Sequence, residues 1–258
     1  MPYSKEAAEK QTEEYVNASS GLRDLMMDCL RQLEHTGSPA SKEHLRHGAA
    51  RRLGVMHRAM RNVFTLFPLT SERPLPMETV HDVQINLHAF VMNLYGVFEN
   101  FAWAFVHRHD LIAAIGGQRM DVSMFKRATQ NRLPLPVTEY LTSEKLVQWH
   151  GEYLKNYRDA LAHRIPLYIP PMLLKADEAE RYSALEAEKR EKILGKMDWN
   201  RIDAISEEQD ALGTPCFSFI HSLEDGTRDL LIHPQLICDS LTVIEFGRLF
   251  FFSWHEHR

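Results

Sequence analysis

Long segments of the chain carry apolar residues at every third or fourth position, the spacing that gives a helix one apolar side. These segments predict helices over about 4–35, 42–67, 77–109, 138–162 and 235–255. Proline and glycine residues interrupt the pattern between the helices, where the chain must turn. The pattern predicts a mainly α protein, built as an antiparallel helical bundle.

The segment 77–109 differs from the other helices because it is apolar on nearly every side, which is typical of a helix at the centre of a bundle. Asn86, Asn93 and Asn100 lie seven residues apart in it and therefore share one face. Buried amides need hydrogen-bond partners. These three either bond to a neighbouring helix or mark a dimer seam, where polar groups set the register.

The helix at 42–67 has two unlike faces. Ser41 is placed to cap its start, and its apolar residues fall within about 100° on a helical wheel. The nearly opposite side carries His44, His47, Arg51, Arg58 and Arg61. One interpretation is a solvated face whose charges pair with neighbours. The other is a surface that binds RNA phosphates, with Arg51, Arg58 and Arg61 as the substrate-binding residues.

Two parts of the C-terminal half depart from the pattern of the bundle. Residues 172–210 are rich in charge and poor in apolar anchors, which predicts an exposed helical insertion laid over the bundle. Two short segments around Asp225-Gly226 predict a small β-hairpin at about 215–233. We therefore expect one helical domain over residues 1–258, with this insertion and a small C-terminal β-hairpin.

Composition limits the classes of function. A chain of 258 residues with 44% hydrophobic residues can bury a sizeable core, and its net charge of -5 means that nucleic-acid contacts must come from a local patch. Cys29, Cys216 and Cys238 are far apart, which fits a reducing cytoplasm rather than a zinc knuckle or a disulfide framework. The amino end has no signal pattern, and no apolar run approaches the roughly 20 residues that span a bilayer. We therefore expect a cytoplasmic protein with no membrane association.

Motifs for metals and nucleotide cofactors are not found in the sequence. Glu78 and His81 form one ExxH pair, whereas a di-iron bundle needs two such pairs and two further glutamates. The P-loop, Rossmann and α/β-hydrolase patterns do not occur. We therefore expect neither a metal site nor a cofactor.

The strongest candidate for chemistry lies at the end of the 138–162 helix, where Arg158 and Asp159 are followed by His163. Pro166 lacks an amide hydrogen and disfavours a helical conformation in the residue before it, so the helix must stop near His163. An arginine, an acid and a histidine therefore lie close together in sequence where a helix ends. Three other arginine–histidine pairs have a similar spacing: Arg52 and His57, Arg228 and His233, and Arg248 and His255. Only the pair of Arg158 and His163 has a polar residue directly after the arginine and also lies at the end of a helix.

Arg158, the polar Asp159 and His163 resemble the signature of the HEPN superfamily, named for higher-eukaryote and prokaryote nucleotide-binding domains. That signature is an arginine, usually followed by a polar residue, with a histidine five to seven positions beyond the arginine near the end of a bundle helix. The resemblance implies a homodimer whose paired motifs form a metal-independent ribonuclease site. It also implies a toxin or phage-defence effector, with RNA as substrate and an antitoxin or another protein as partner.

In such a site, RNA is cleaved by its own 2′-hydroxyl. Histidine exchanges protons near neutral pH, so His163 can move the proton, while Arg158 holds the scissile phosphate and stabilises its charge. Asp159 is four residues before His163 and can orient its imidazole. The alternative is a non-catalytic binding or scaffold module of the same fold. Arg158 would then pair with Glu99, Glu152 or a helix-end carbonyl, and His163 would cap the last turn.

Overall fold

A computed structural model describes residues 3–221 and 229–257 of the chain. Its described part is mainly α, an antiparallel helical bundle with one two-stranded sheet, as the sequence predicts. The helices are α1 (Lys5–Arg31), α2 (Pro39–Glu43), α3 (Ala50–Leu66), α4 (Met77–Arg108), α5 (Arg127–Gln130), α6 (Leu135–Thr142), α7 (Glu144–Gln148), α8 (Lys155–His163), α9 (Ala176–Leu194), α10 (Trp199–Asp210) and α11 (Ile232–Phe252). The strands are β1 (Ser218–Phe219) and β2 (Leu230–Leu231), and two π-helical turns, His44–Ala49 and Trp149–Leu154, join α2 to α3 and α7 to α8.

The helix α4 is the centre of the bundle and packs against α2, α3, α8 and α11. Its aromatic side chains interleave with those of α11: the ring centroids of Phe98 and Phe246 are 4.7 Å apart, and those of Phe101 and Phe250 are 5.0 Å apart. All four rings are buried. Burial of one such side chain contributes about 1.5–3 kcal/mol, so this seam is a main source of stability.

Two of the three asparagines of α4 bond to the preceding helix, as one of the two interpretations of their spacing expects. Asn62 of α3 donates to Asn86 over 2.8 Å, and Arg52 donates to Asn93 over 3.2 Å. A Cβ atom on Gly48 would collide with the carboxamide of Asn100, so the backbone of the first π-turn lies directly against that side chain. The face of α4 that carries the asparagines is therefore the contact with α3.

Among the described helices, one is long and apolar enough to cross a membrane by length and composition. This is α4, with a mean hydropathy of 1.2 over its most apolar 18-residue window. Of that window, 61% is buried inside the protein. The apolar character of α4 thus matches its place at the centre of the core.

The start of the second helix differs from its prediction. The helix begins at Pro39, and Ser38 is the N-cap: its hydroxyl accepts from the amide of Ser41 over 3.2 Å. Ser41 is already inside the first turn, and its buried hydroxyl donates to the carbonyl of Ala104 over 2.8 Å. The capping role expected of Ser41 was wrong because proline at the first helical position moves the cap one residue before it.

The predicted helix over 138–162 is divided in two. α6 ends at Thr142, and Ser143 has an extended backbone (φ -60°, ψ 143°) before α7 begins. α7, the π-turn Trp149–Leu154 and α8 then form one continuous helix that ends at His163. The predicted end of this helix near His163 is therefore confirmed. The predicted start at 138 is wrong, because Ser143 separates α6 from the helix that ends at His163.

The insertion at 172–210 contains two helices rather than one, because the chain turns after Gly195 and Asp198 caps α10. We call α9 and α10 the helical arm. Its helices pack against each other around Leu185, Ile202 and Ile205, which lie outside the main hydrophobic core. Arg201 links the two helices through Glu188 at 2.6 Å.

Paired backbone segments lie at the base of the helical arm. Leu173 and Thr214 exchange two backbone hydrogen bonds of 2.8 and 2.9 Å, and Tyr168 and Ile220 exchange two of 2.7 and 3.0 Å. β1 then pairs with β2 in antiparallel register. The predicted β-hairpin is present in this shorter form, and its expected turn at Asp225-Gly226 lies outside the described residues.

Candidate active site around Arg158

The helix that carries Arg158 is fixed to α11 by one buried carboxylate. Trp149 Nε1 and Gln235 Nε2 donate to Asp239 Oδ1 over 2.9 and 2.8 Å, and the Tyr153 hydroxyl donates to Oδ2 over 2.6 Å. Burial raises the pKa of Asp239 to about 7, although the three hydrogen bonds act to lower it. Two of the three donors belong to the π-turn Trp149–Leu154, so Asp239 sets the position of that turn.

Arg158 is the centre of a polar cluster between α8 and α4. Its Nη1 lies 2.9 Å from Oδ1 of Asp159, and its guanidinium lies 4.0 Å from the ring centroid of Tyr95. The side chain is 25% exposed, yet its Nε is buried and has no hydrogen-bond partner in the described structure. A cation held over an aromatic face in this way has a fixed position.

Glu99 adds a second carboxylate to this region, one turn after Tyr95. The Ser123 hydroxyl donates to Glu99 Oε1 over 2.6 Å. Burial raises the pKa of Glu99, and the Ser123 hydrogen bond and the charge of Arg158 act in the opposite direction. Arg158 makes its ion pair with Asp159, and the described part of the chain shows no ion pair between Arg158 and Glu99 or Glu152.

His150 is the histidine of this region. Its ring stacks on Phe125 with a centroid distance of 3.6 Å and lies 6.2 Å from Tyr95, the residue that Arg158 also contacts. Burial lowers the pKa of His150 to about 4, and the charges of Lys155 and Arg158 lower it further. Its Nε2 is buried without a hydrogen-bond partner. We call Tyr95, Glu99, Ser123, His150, Arg158 and Asp159 the Arg158 cluster.

The π-turn explains why His150 belongs to this cluster. Residues eight apart on an ideal α-helix lie about 80° from each other. A π-turn contains about one extra residue, because its hydrogen bonds span five positions. His150 and Arg158 are then separated by about seven α-helical steps, and they lie roughly 20° apart on the helix. Regular helical periodicity instead assigns His150 to the apolar stripe, so sequence analysis missed it.

His163 has a different environment. It is exposed at the C-terminal end of α8, and within residues 3–221 and 229–257 its side chain has no hydrogen-bond or ion-pair partner. It follows Arg158 by five residues in a continuous helix, which corresponds to about 140°. The carboxylate of Asp159 binds Arg158 instead of orienting the imidazole of His163. The structure thus joins Arg158 to Asp159 and leaves His163 apart.

The predicted substrate-binding residues form an exposed basic surface on α3. Arg51, Arg58 and Arg61 point away from the core and have no ion pair in the described part of the chain. Burial lowers the pKa of the neighbouring His57, and nearby arginines, Arg58 and Arg61 among them, lower it further. Among the described residues, this face therefore carries positive charges that form no ion pair.

The basic surface and the Arg158 cluster lie on different sides of α4. α3 contacts the side of α4 that carries Asn93, whereas Arg158 contacts Tyr95. These two residues lie about 160° apart on an ideal helix. One chain therefore does not bring Arg51, Arg58 and Arg61 into a common site with Arg158.

The described residues contain no group of three or more histidine, cysteine, aspartate or glutamate side chains placed to hold a metal ion. The ionisable groups of the Arg158 cluster other than Tyr95 are an arginine, two carboxylates and a histidine whose pKa lies well below neutrality. Comparison of the chain with models of protein families, with curated proteins and with solved structures finds no match.

Proposed function

We propose that this protein is a HEPN-like, metal-independent endoribonuclease that cleaves RNA through the 2′-hydroxyl. The observation that carries the proposal is the state of Arg158. Its guanidinium is partly exposed and held over Tyr95. A partly exposed guanidinium in a fixed position suits a phosphate, which arginine binds through two parallel hydrogen bonds.

The reaction requires a base and an acid as well as this cation. A histidine takes the proton of the 2′-hydroxyl, the 2′ oxygen bonds to phosphorus, and the bond from phosphorus to the 5′ oxygen breaks. The 5′ oxygen leaves with a proton from a general acid, which gives a 2′,3′-cyclic phosphate and a 5′-hydroxyl. Arg158 stabilises the charge that develops on the phosphate. His163 is exposed and has no competing partner, which supports a role in proton transfer.

The proposal includes a homodimer. Arg158 and His163 diverge by about 140° on one helix, so a second copy of the motif offers a way to place a histidine opposite an arginine. The exposed basic surface formed by Arg51, Arg58 and Arg61 supports contact with RNA phosphates, because its arginines form no ion pair within residues 3–221 and 229–257. A toxin or phage-defence role in the cytoplasm, with an antitoxin or other protein partner, completes the proposal.

A non-catalytic binding or scaffold module is the second candidate. Its support is the ion pair between Arg158 and Asp159 together with the contact of Arg158 on Tyr95. These contacts give Arg158 a role in holding α8 to α4. In addition, a carboxylate beside the guanidinium repels a phosphate and must be displaced by it.

The deciding experiment measures RNA cleavage by the purified protein in excess EDTA, with Arg158→Ala and His163→Ala compared with the wild type. Circular dichroism and thermal unfolding establish that the variants are folded. We expect cleavage that survives EDTA and disappears in both variants, with a cyclic phosphate on the product. If the wild type cleaves no RNA and Arg158→Ala unfolds the protein, the scaffold module is the correct interpretation.

A further inference from the structure

A hydrogen bond between α1 and α3 lies beside the exposed basic surface. The ring Nε2 of His57 and the hydroxyl oxygen of Ser19 are 2.9 Å apart, and both residues are partly exposed. His57 comes directly before Arg58 and four residues before Arg61, which places it one helical turn from Arg61. This hydrogen bond therefore marks the point where α1 joins the basic surface.

α1 brings a further arginine to this point. Arg23 lies four residues after Ser19, so the two share one face of α1. Arg23 is exposed and forms no ion pair within residues 3–221 and 229–257. Burial lowers the pKa of His57, and the charges of Arg23, Arg61 and Arg58 lower it further. Three arginines from two helices thus act on one imidazole.

The opposite directions of the two helices spread these cations along their junction. Tyr15 of α1 stacks on Phe64 of α3, with ring centroids 4.3 Å apart. This contact precedes the hydrogen bond in α1 but follows it in α3, so the helices are antiparallel. Arg23 and Arg61 are therefore each offset by about 6 Å from the hydrogen bond, in opposite directions. The cations form a row roughly 12 Å long.

The charge and the length of this row select the ligand. Guanidinium groups that form no ion pair among the described residues favour an anion over a cation or an apolar group. A row of this length extends beyond one phosphate group, so a chain of phosphates fits it better than a single ion. Arginine and serine side chains both bind the phosphates of nucleic acids.

The hydrogen bond also gives the site a response to a bound phosphate. A neutral imidazole has one donor and one acceptor nitrogen, whereas both nitrogens of its cation donate. In the cation, Nε2 of His57 donates to Oγ of Ser19, which leaves the hydroxyl hydrogen of Ser19 free to donate to a phosphate oxygen. Negative charge nearby favours the cation. Phosphate binding is therefore coupled to the uptake of a proton from solvent by His57.

We infer that Ser19, Arg23 and His57 complete, with Arg58 and Arg61, a binding site for the phosphate backbone of RNA at the junction of α1 and α3. The choice of RNA as the polyanion rests on the function proposed above. The site lies away from the candidate active site, and it adds residues of α1 to a surface that the sequence assigned to α3 alone. Its role is to hold RNA on the protein.

The first test measures binding of a 2′-O-methyl RNA oligonucleotide of mixed sequence, which lacks the hydroxyl needed for cleavage, to the full-length protein at several salt concentrations. Arg23→Ala is expected to weaken binding on the order of tenfold, because a charged hydrogen bond is lost. It should also lower the slope of log Kd against log salt concentration by about one. Arg190→Ala removes an exposed arginine of the helical arm that likewise forms no ion pair in the described part of the chain, and it should change neither quantity.

The second test examines the hydrogen bond itself. Ser19→Ala removes the hydroxyl and is expected to weaken oligonucleotide binding severalfold, whereas Ser19→Thr keeps a hydroxyl and should bind nearly as the wild type does. NMR titration with saturating oligonucleotide should show a raised pKa of His57, because bound phosphates favour the imidazolium. His109, at the C-terminal end of α4, is the internal control and should keep its pKa of about 4. Thermal unfolding confirms that each variant is folded.

The outcomes separate this inference from the proposed function. An unchanged salt slope in Arg23→Ala, or an unchanged pKa of His57 at saturation, overturns the inference even if natural RNA is cleaved. A lower slope together with a raised pKa supports it, even if the wild type cleaves no RNA and the ribonuclease proposal fails. If inorganic phosphate at the same phosphate concentration raises the pKa of His57 equally, the site takes a single anion and the inference of a backbone site is wrong. Failure of the oligonucleotide to bind at millimolar concentration overturns the inference directly.

Discussion

The two π-turns of the structure are the same backbone irregularity used in different ways. His44–Ala49 lets α2 and α3 lie directly against α4, and among the described residues no buried side-chain polar atom of this turn lacks a partner. Trp149–Leu154 is bound to Asp239, yet it carries the unpartnered Nε2 of His150. The first turn improves packing, whereas the second holds an unused polar atom in place. The two turns therefore differ in whether every buried side-chain polar atom of the turn has a partner among the described residues.

Asp239→Ala is expected to have the largest effect on this comparison. It removes the acceptor of Trp149, Tyr153 and Gln235 and leaves buried donors unpaired, so we expect a loss of about 3 kcal/mol or more. Urea unfolding at pH 7 measures the change. Asp203→Ala, which removes an exposed acid of α10, is the control and should stay near the wild type. A loss below about 1 kcal/mol for Asp239→Ala would show that the second turn does not depend on its hydrogen bonds to Asp239.

Gly48→Ala and Gly151→Ala compare the two turns with one substitution. A Cβ on Gly48 collides with Asn100, so we expect destabilisation by about 1–3 kcal/mol. A Cβ on Gly151 meets no atom within 4 Å, so alanine there should be neutral or stabilise by up to about 1 kcal/mol. Thermal unfolding measures both. The double variant Gly48→Ala with Asn100→Ala should recover part of the loss, and equal effects at the two glycines would contradict the comparison.

Asp239→Asn should have a smaller effect that depends on pH. The pKa of Asp239 is raised from 3.8 to about 7, so the folded state binds this proton more tightly than the unfolded state. The wild type therefore loses stability from this group as pH rises from about 4 to 7. Asparagine stays neutral and can still pair with all three neighbours. We expect the variant to be the more stable protein at pH 8, with a difference that shrinks by pH 5, in denaturant unfolding at both values.

Phe125→Ala should produce the smallest change, which we expect only in the pKa of His150. Burial is the main cause of the low pKa of His150, and Phe125 covers its ring. Removal of the ring admits water, so the pKa of His150 should rise from about 4 toward the ordinary histidine value. NMR titration measures the shift, with His109 as a resonance that should not move. No shift of His150 would mean that other groups exclude the solvent.

Periodicity was sufficient to predict the bundle, because α1, α3, α4 and α11 each bury a regular stripe against neighbours. Pro166 predicted the end of the helix near His163, and the seven-residue spacing predicted that the asparagines of α4 share one face. Periodicity missed the break at Ser143, where neither proline nor glycine interrupts the helix. It also missed His150, because a π-turn shifts the register without leaving a signal in the apolar pattern. The paired arrangement of Arg158 with Asp159 depends on rotamers, which spacing alone does not set.

The backbone pairing of Leu173 with Thr214 has a consequence for how the helical arm relates to the rest of the chain. The arm leaves and re-enters the fold at two adjacent points, and its helices bury their own small core around Leu185, Ile202 and Ile205. Such a segment can become longer or shorter, or change sequence, while the backbone hydrogen bonds between Leu173 and Thr214 stay in place. We therefore expect the arm to tolerate changes of length and sequence that leave the bundle carrying Arg158 undisturbed.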